Sequence, residues 1–386
     1  MTKIFKSVYF NVRTSSRERM WDTARHASRV CTPILPAVKQ QTSLARSASY
    51  KTARFSIMVK LKQFVRLFPL INHQAVPGAE TADLLYMWGA FPKMTNQPFV
   101  IELDNPFVLS YYSQRFFNWR LLAIKRKLRR ANYITYLSET ARNHTLELIG
   151  PEFAEKSKVL PPFMDKNYLY NKRPGDGIVR FLFVGLGFRR KGGPELLKAF
   201  AALPNENAQL TIVAPVPEEV KSAYAYDKRI IFLPPQPREV LFTKLYPESD
   251  IFVFPSILET LGVVILEALS FGMGIITTDS YATPEMVKND VNGRLLSHPF
   301  LKKTLLNGVP TIDCVTIPRD EFTAKYQQDE HFYETLSSDT LTAMTEAMNQ
   351  TKVWQDASIE LFDRRFSPDL WEQKLVEILS PVSTDA

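Results

Sequence analysis

An α/β fold built on doubly wound parallel sheets, in two domains, is predicted by three observations. Strand-like runs alternate with helix-spaced segments across residues 181–296: FLFVG, LTIVA, IIFL, IFVF, GIITT and GRLL. Several of these runs are apolar throughout, which is how strands covered on both faces read. The chain has 386 residues, 45% of them hydrophobic, enough for two full cores.

The elements follow in order. In the first half ADLLYMW, PFVIEL and NYITYL are the clearest strands. The Pro- and Gly-rich NKRPGDG, within residues 164–177, is a linker. The expected division is 1–165, 166–365 and a closing segment 366–386. Residues 297–335, mixed in charge and without a clean period, form an insertion, either a surface excursion or a lid. RRFSPDLWEQKLVEIL is an amphipathic helix with Ser367 as N-cap and Pro368 at its first position.

Two segments carry chemistry. Residues 250–278, DIFVFPSILETLGVVILEALSFGMGIITT, read as strand, loop, helix, strand. Thr260 is the expected N-cap, and Gly272 and Gly274 stop the helix. The loop of such a βαβ unit lies at the carboxyl end of the sheet, where ligands bind. Glu259 precedes the helix and Glu267 lies two turns inside it. The first amides, at Leu261, Gly262 and Val263, have no partner within a helix and attract phosphate. Carboxylates for hydroxyls beside amides for phosphates suit a sugar nucleotide. The plain alternative is a solvated Glu267 and a loop Glu259. Residues 180–203, RFLFVGLGFRRKGGPELLKAFAAL, place Arg189, Arg190 and Lys191 in a Gly-rich loop between a strand and a helix from about Pro194. Cations there would neutralise a departing diphosphate. A basic surface turn is the simpler reading.

Together these residues make the chain resemble retaining GT-B glycosyltransferases of family GT4. In that family an F-V-G strand is followed six residues beyond its glycine by Lys-Gly, as Gly185 is by Lys191 and Gly192. The Glu-x7-Glu element stands in its frame as Pro255, Ser256, Glu259, Gly262, Leu266, Glu267, Ala268 and Gly272. TPEMVKNDVNGRLL, KVLPPFMD and IIFLPPQPREVLFTKLYPESD resemble other family segments, and similarity covers residues 82–296 and FSPDLWEQKL. The resemblance implies two Rossmann-like domains facing a central cleft, the first for an acceptor and the second for a nucleotide-diphosphate sugar. It implies donor contacts from Gly185, Gly187, Arg190, Lys191, Pro235, Glu259, Leu261, Gly262, Val263 and Glu267. Glu259, Lys191 and Arg190 would be catalytic. The donor would be a UDP-, GDP- or ADP-sugar, with no metal and no cofactor.

The chain departs from the family in three places. Leu186 stands where many members carry Arg, and Arg190 beside Lys191 resembles the lipopolysaccharide-core branch. Residues 3–20 contain no glycine, so a close approach of the first loop to a donor phosphate is not expected. Asp104 and Asn105 stand near the position of a family His; Asp104 is the acceptor-side candidate, or caps a turn.

Cys31 and Cys314 are too few and too far apart for a disulfide framework, and five scattered histidines make no metal constellation. The triplets at Asn143 and Asn349 read as chance in a cytosolic protein. No apolar run approaches 18 residues. Charge is uneven: residues 1–66 carry fourteen Lys/Arg against two Asp/Glu, a net of +12 against +8 for the whole chain. A basic stretch, residues 113–133, interleaves Phe116, Phe117, Trp119, Leu122 and Leu128 with six Arg and Lys after Phe117. Such a helix lies on an anionic membrane surface, or packs its apolar side on the domain with its charges solvated. The acid-poor start also resembles a mitochondrial presequence. No frame of a nucleic-acid reader accompanies it.

The expected function is sugar transfer from a nucleotide-diphosphate sugar to a hydroxyl of a glycan or lipid-linked saccharide, in cell-surface polysaccharide or lipopolysaccharide biosynthesis. The expected place is the cytoplasm or the inner face of its membrane. The alternatives are a GT-B sugar-nucleotide epimerase and a non-catalytic sugar-nucleotide-binding protein.

Overall fold

The computed structural model describes residues 5–41, 68, 70–111, 117–204, 206–298, 303–306, 309–312 and 330–380. The chain divides into two compact units. The first comprises Met1–Phe163, Thr304–Thr311 and Pro368–Ala386; the second comprises Met164–Lys303 and Ile312–Ser367.

The first unit is a six-stranded parallel sheet: β1 (Ser7–Phe10), β2 (Thr32–Ile34), β3 (Leu84–Trp88), β4 (Phe99–Leu103), β5 (Tyr133–Tyr136) and β6 (Ser157–Val159), in the order β2-β1-β3-β4-β5-β6. Every residue of LLYMW and FVIEL is buried, as a sheet covered on both faces requires. Helices α1 (Glu18–His26), α2 (Phe117–Leu128) and α3 (Glu139–Ile149) belong to this unit. Ser138 caps α3 by accepting from the Ala141 N–H at 3.0 Å. The basic stretch forms α2, but only Phe117, Ile124 and Leu128 of its apolar residues are buried. Trp119 and Leu122 lie on the opposite, exposed side, so they do not belong to the packing face.

A last helix, α7 (Pro368–Ile378), also belongs to this unit. Its Trp371, Leu375 and Ile378 join the core of Val8, Phe10, Trp21, Ala24 and Tyr86. Burying side chains of this size stabilises by about 2–3 kcal/mol each.

The second unit has β7 (Val179–Val184), β8 (Ala208–Val213), β9 (Ile230–Leu233), β10 (Ile251–Phe254), β11 (Gly274–Thr278) and β12 (Gly293–Leu296). They are all parallel, in the order β9-β8-β7-β10-β11-β12. This is the 3-2-1-4-5-6 order of dinucleotide-binding sheets. Helix α4 (Gly193–Ala201) follows β7, and α5 (Val263–Ser270) lies between β10 and β11. The long α6 (Glu330–Arg365) packs on α4, α5, β11 and β12 and buries Trp354.

Most of the expected insertion at 297–335 and the basic residues 42–66 lie outside the described residues, as does Cys314. Where described, the insertion region contributes two paired strands, Lys303–Leu306 and Val309–Ile312, and already enters α6 at Glu330.

Candidate functional site

The order of the second sheet reverses between β7 and β10, and these strands pair through Ile251 with Phe181 and Phe252 with Leu182. The loops leaving their carboxyl ends stand where sheets of this order bind ligands. All but one of the residues predicted for donor binding in this unit stand in these two loops or on the helix that the second one enters. Pro235 is the exception: it follows the edge strand β9.

The loop after β7 passes Gly185 and Gly187, forms a single turn at Arg189–Lys191, and enters α4 through Gly192. Gly192 holds φ of +76°, the left-handed region, and a Cβ there would lie 2.1 Å from the Pro255 carbonyl oxygen. The Ile257 N–H donates to the Arg190 carbonyl at 3.1 Å. The basic loop and the glutamate loop are therefore seated on each other by backbone. Gly192→Ala should cost about 3 kcal/mol, from the left-handed penalty plus the backbone shift that relieves the overlap. Scanning calorimetry should show the transition falling by about 6–12 °C. An unchanged transition would mean that the two loops do not need this approach.

Lys191 Nζ forms an ion pair with the Glu259 carboxylate and donates to the Leu258 carbonyl at 3.2 Å. It also lies 5.1 Å from the centre of the Phe254 ring. The two side chains are 14% and 17% exposed, so water weakens their attraction less than at an open surface. The sequence reading assigned this cation and this carboxylate to different parts of a ligand; the fold brings them together. Glu259 Oε1 accepts from the Thr260 N–H at 3.1 Å, and Ser280 Oγ donates to the Glu259 carbonyl at 2.9 Å. The loop is thus held from both ends. The Arg190 guanidinium lies over Gly187, where a Cβ would come 3.0 Å from its Nη2.

Helix α5 starts from Gly262, with φ of +78°, and not from Thr260 as the sequence suggested. No side chain caps it. Glycine wins because the chain turns into the helix through a left-handed residue that Thr would occupy at a cost. The first two amides of α5, Val263 and Val264, thus have no partner within the helix, while the Ile265 N–H already donates to the Gly262 carbonyl at 2.8 Å. Just over one turn in, Glu267 accepts from the Tyr246 hydroxyl at 2.9 Å, and Arg238 Nε stands 4.0 Å from its other oxygen. Tyr246 is fully buried. Burial, with the Glu267 charge, pushes its phenol well above the ordinary value, so it serves as a donor throughout the working pH range. Sequence reasoning missed Tyr246 and Arg238: they lie in IIFLPPQPREVLFTKLYPESD, and nothing in its spacing points at Glu267.

Glu195, in the first turn of α4, was also missed. Its carboxyl is buried, and burial pushes it up to about 7 from an ordinary 4.5. The folded protein therefore holds a proton that the unfolded chain has lost between these values. The stability this protonation supports is complete below about pH 4.5 and is lost as pH rises through 7. The loss should amount to about 3 kcal/mol at most. Denaturant titrations from pH 5 to 8 should show it, and Glu195→Gln should flatten the slope. An equal slope in the variant would assign the effect to another group.

Asp104 belongs to the first unit and follows the end of β4. The turn cap there is Asn105, not Asp104. Asn105 Oδ1 accepts from the Phe107 N–H at 3.0 Å, and its amide donates to Asp104 at 3.2 Å. Two residues earlier, Glu102 is buried and paired with Arg19 at 2.8 Å.

Two doubly wound parallel units define the class: the fold is GT-B. It is shared with Anabaena HepE in complex with UDP, at TM-score 0.61 and 17% identity over 97% of this chain and 99% of that one. It is shared also with the lipopolysaccharide outer core galactosyltransferase WaaB, at TM-score 0.53 and 14% identity over 97% and 98%. Residues 172–309, which contain both loops, match the family described as glycosyl transferases group 1. The sulfoquinovosyl transferase SQD2 of Arabidopsis thaliana is 24% identical over 343 residues, 84% of this chain. The chain spans 62% of the length of that relative.

Proposed function

We propose that the protein is a retaining glycosyltransferase of family GT4 that moves a sugar from a nucleotide-diphosphate sugar to a hydroxyl of a glycan or lipid-linked saccharide. The observation that carries this reading is the Lys191–Glu259 ion pair at the switch point, with the uncapped start of α5 in the same loop. In this reading the diphosphate sits at the Val263 end of α5, with Arg190 and Lys191 on its oxygens. Glu267, oriented by Tyr246, takes the ribose hydroxyls, and Glu259 takes a hydroxyl of the donor sugar.

Departure of the diphosphate builds negative charge on its oxygens while the sugar becomes oxocarbenium-like. Lys191 and the amides, already in place, favour that state over the ground state. The acceptor hydroxyl attacks from the face the diphosphate leaves and gives its proton to a departing phosphate oxygen, so the bond from C1 to phosphate breaks as the bond from C1 to the acceptor oxygen forms and the anomeric configuration is kept. No opposing carboxylate is then required, in contrast to a hydrolase. The protein's own cations take the role a metal would otherwise fill. The acceptor belongs to cell-surface polysaccharide or lipopolysaccharide synthesis, in keeping with the Arg190-Lys191-Gly192 loop.

Calorimetric titration with UDP-, GDP- and ADP-sugars tests the reading, with Glu267→Ala as control. The UDP-sugars come first, because HepE, of the same fold, is solved with UDP-glucose. One nucleotide sugar that binds the protein, and the variant at least tenfold more weakly, is the expected result. Absence of binding across the panel would overturn it. Given a donor and an acceptor, NMR of the product's anomeric proton reads retention directly.

A further inference from the structure

The exposed side of α2 is built differently from an ordinary solvated helix face. Trp119 is 79% exposed and Leu122 is 75% exposed, and with Arg126 and Arg130 they recur at i, i+3, i+7 and i+11, one stripe of the helix. The stripe does not end with the helix. Arg130 Nη2 donates to the Thr95 carbonyl at 3.1 Å, which ties the helix end to the loop between the short strand Phe91–Pro92 and β4. That loop carries Lys93 and Met94, and Met94 is 94% exposed at a left-handed φ of 54°. Three large apolar side chains are thus mostly exposed on the same unit as Lys93, Arg126, Arg129 and Arg130. Residues 105–138 contain seven Lys and Arg and no Asp or Glu. Glu152, the acid bordering the helix, is paired with Lys125 at 3.2 Å.

We propose that this face of the first unit docks on an anionic lipid bilayer, with Trp119, Leu122 and Met94 entering the interface and Arg126, Arg129 and Arg130 on the headgroups. The chemistry fits one occupant. A bilayer surface offers apolar depth for the indole and aliphatic groups and a plane of negative charge for the guanidinium groups. A purely electrostatic partner would leave the Trp and Leu in water, and a purely apolar one would bury the arginines. No helix of the described residues is long and apolar enough to cross a membrane. The proposal stands independently of the donor reading, because it concerns the first unit and needs no turnover.

Vesicle co-sedimentation tests it without any sugar. The full chain is mixed with vesicles of phosphatidylcholine alone and of phosphatidylcholine with 30% phosphatidylglycerol. Binding is expected only to the second and should weaken with added salt. Arg126→Ser with Arg129→Ser should weaken it about 30-fold, and Trp119→Ala with Leu122→Ala about tenfold or more. These are exposed positions, and an unchanged melting transition verifies the fold of each variant. Of the five tryptophans only Trp119 is exposed, so a blue shift of fluorescence on vesicle addition reports its entry into lipid directly. Three results would each overturn the proposal: no binding to the anionic vesicles, binding that both double variants keep, or binding without a fluorescence shift that only the arginine variant loses.

Discussion

Lys191→Ala is expected to lower turnover about 100- to 1,000-fold while leaving the melting transition within a few degrees of the parent. The size follows from removing one fixed positive group aimed at developing phosphate charge. The small stability effect follows from the setting: Lys191 contacts Glu259, the Leu258 carbonyl and the Phe254 ring in the loops beyond the strand ends, not in the core. The variant also leaves Glu259 without its cation. Part of the loss should therefore be recovered by Lys191→Arg, which restores charge in a different shape. Steady-state kinetics with saturating donor separate the cases. A fall in kcat with little change in KM places Lys191 in the transition state; a rise in KM alone would make it a ground-state contact. Near-normal turnover would remove Lys191 from the chemistry altogether.

Arg19→Ala is expected to destabilise the first unit by about 3–5 kcal/mol. Arg19 and Glu102 pair at 2.8 Å with side chains only 7% and 4% exposed, and Tyr86 donates to the other Glu102 oxygen at 2.8 Å. Removing the guanidinium leaves a carboxylate in the core with a tyrosine for company. Burial and that carboxylate hold the Tyr86 phenol far above its ordinary value, so it stays a neutral donor and brings no positive charge. Thermal unfolding should show a drop of about 10 °C. The double variant Arg19→Met with Glu102→Leu should recover most of it, because no charge is then left buried without a partner. A single variant as stable as the parent would show that water reaches Glu102 and that the pair does not hold α1 to the sheet.

Much of this was legible before any coordinates. IFVF is apolar throughout, and PFVIEL is so apart from Glu102, because parallel strands are covered on both faces, and every residue of β4 and β10 is buried. Gly192 stood at the expected loop-to-helix junction, whereas Gly262 was read as lying inside a helix capped by Thr260. The left-handed φ of both explains why they are glycines, since only glycine takes that conformation without cost. Glu259, Glu267 and Lys191 stood out by residue type and spacing, because strand, loop and helix are local patterns.

What the chain could not announce were the pairings between distant segments. Lys191 meets Glu259 across 68 positions because β7 and β10 are neighbours in the sheet, and strand order is decided by packing, not by local preference. Tyr246 reaches Glu267, and Arg19 reaches Glu102, for the same reason. The exposed side of α2 is a further case: helical spacing defines two faces, but only the sheet beneath decides that Phe117, Ile124 and Leu128 face inward and Trp119 and Leu122 face water. The sequence by itself determined the elements and the chemical groups they carry, because those depend on neighbours a few residues away. The tertiary structure decided which groups meet and which face water, because those depend on contacts that span the chain.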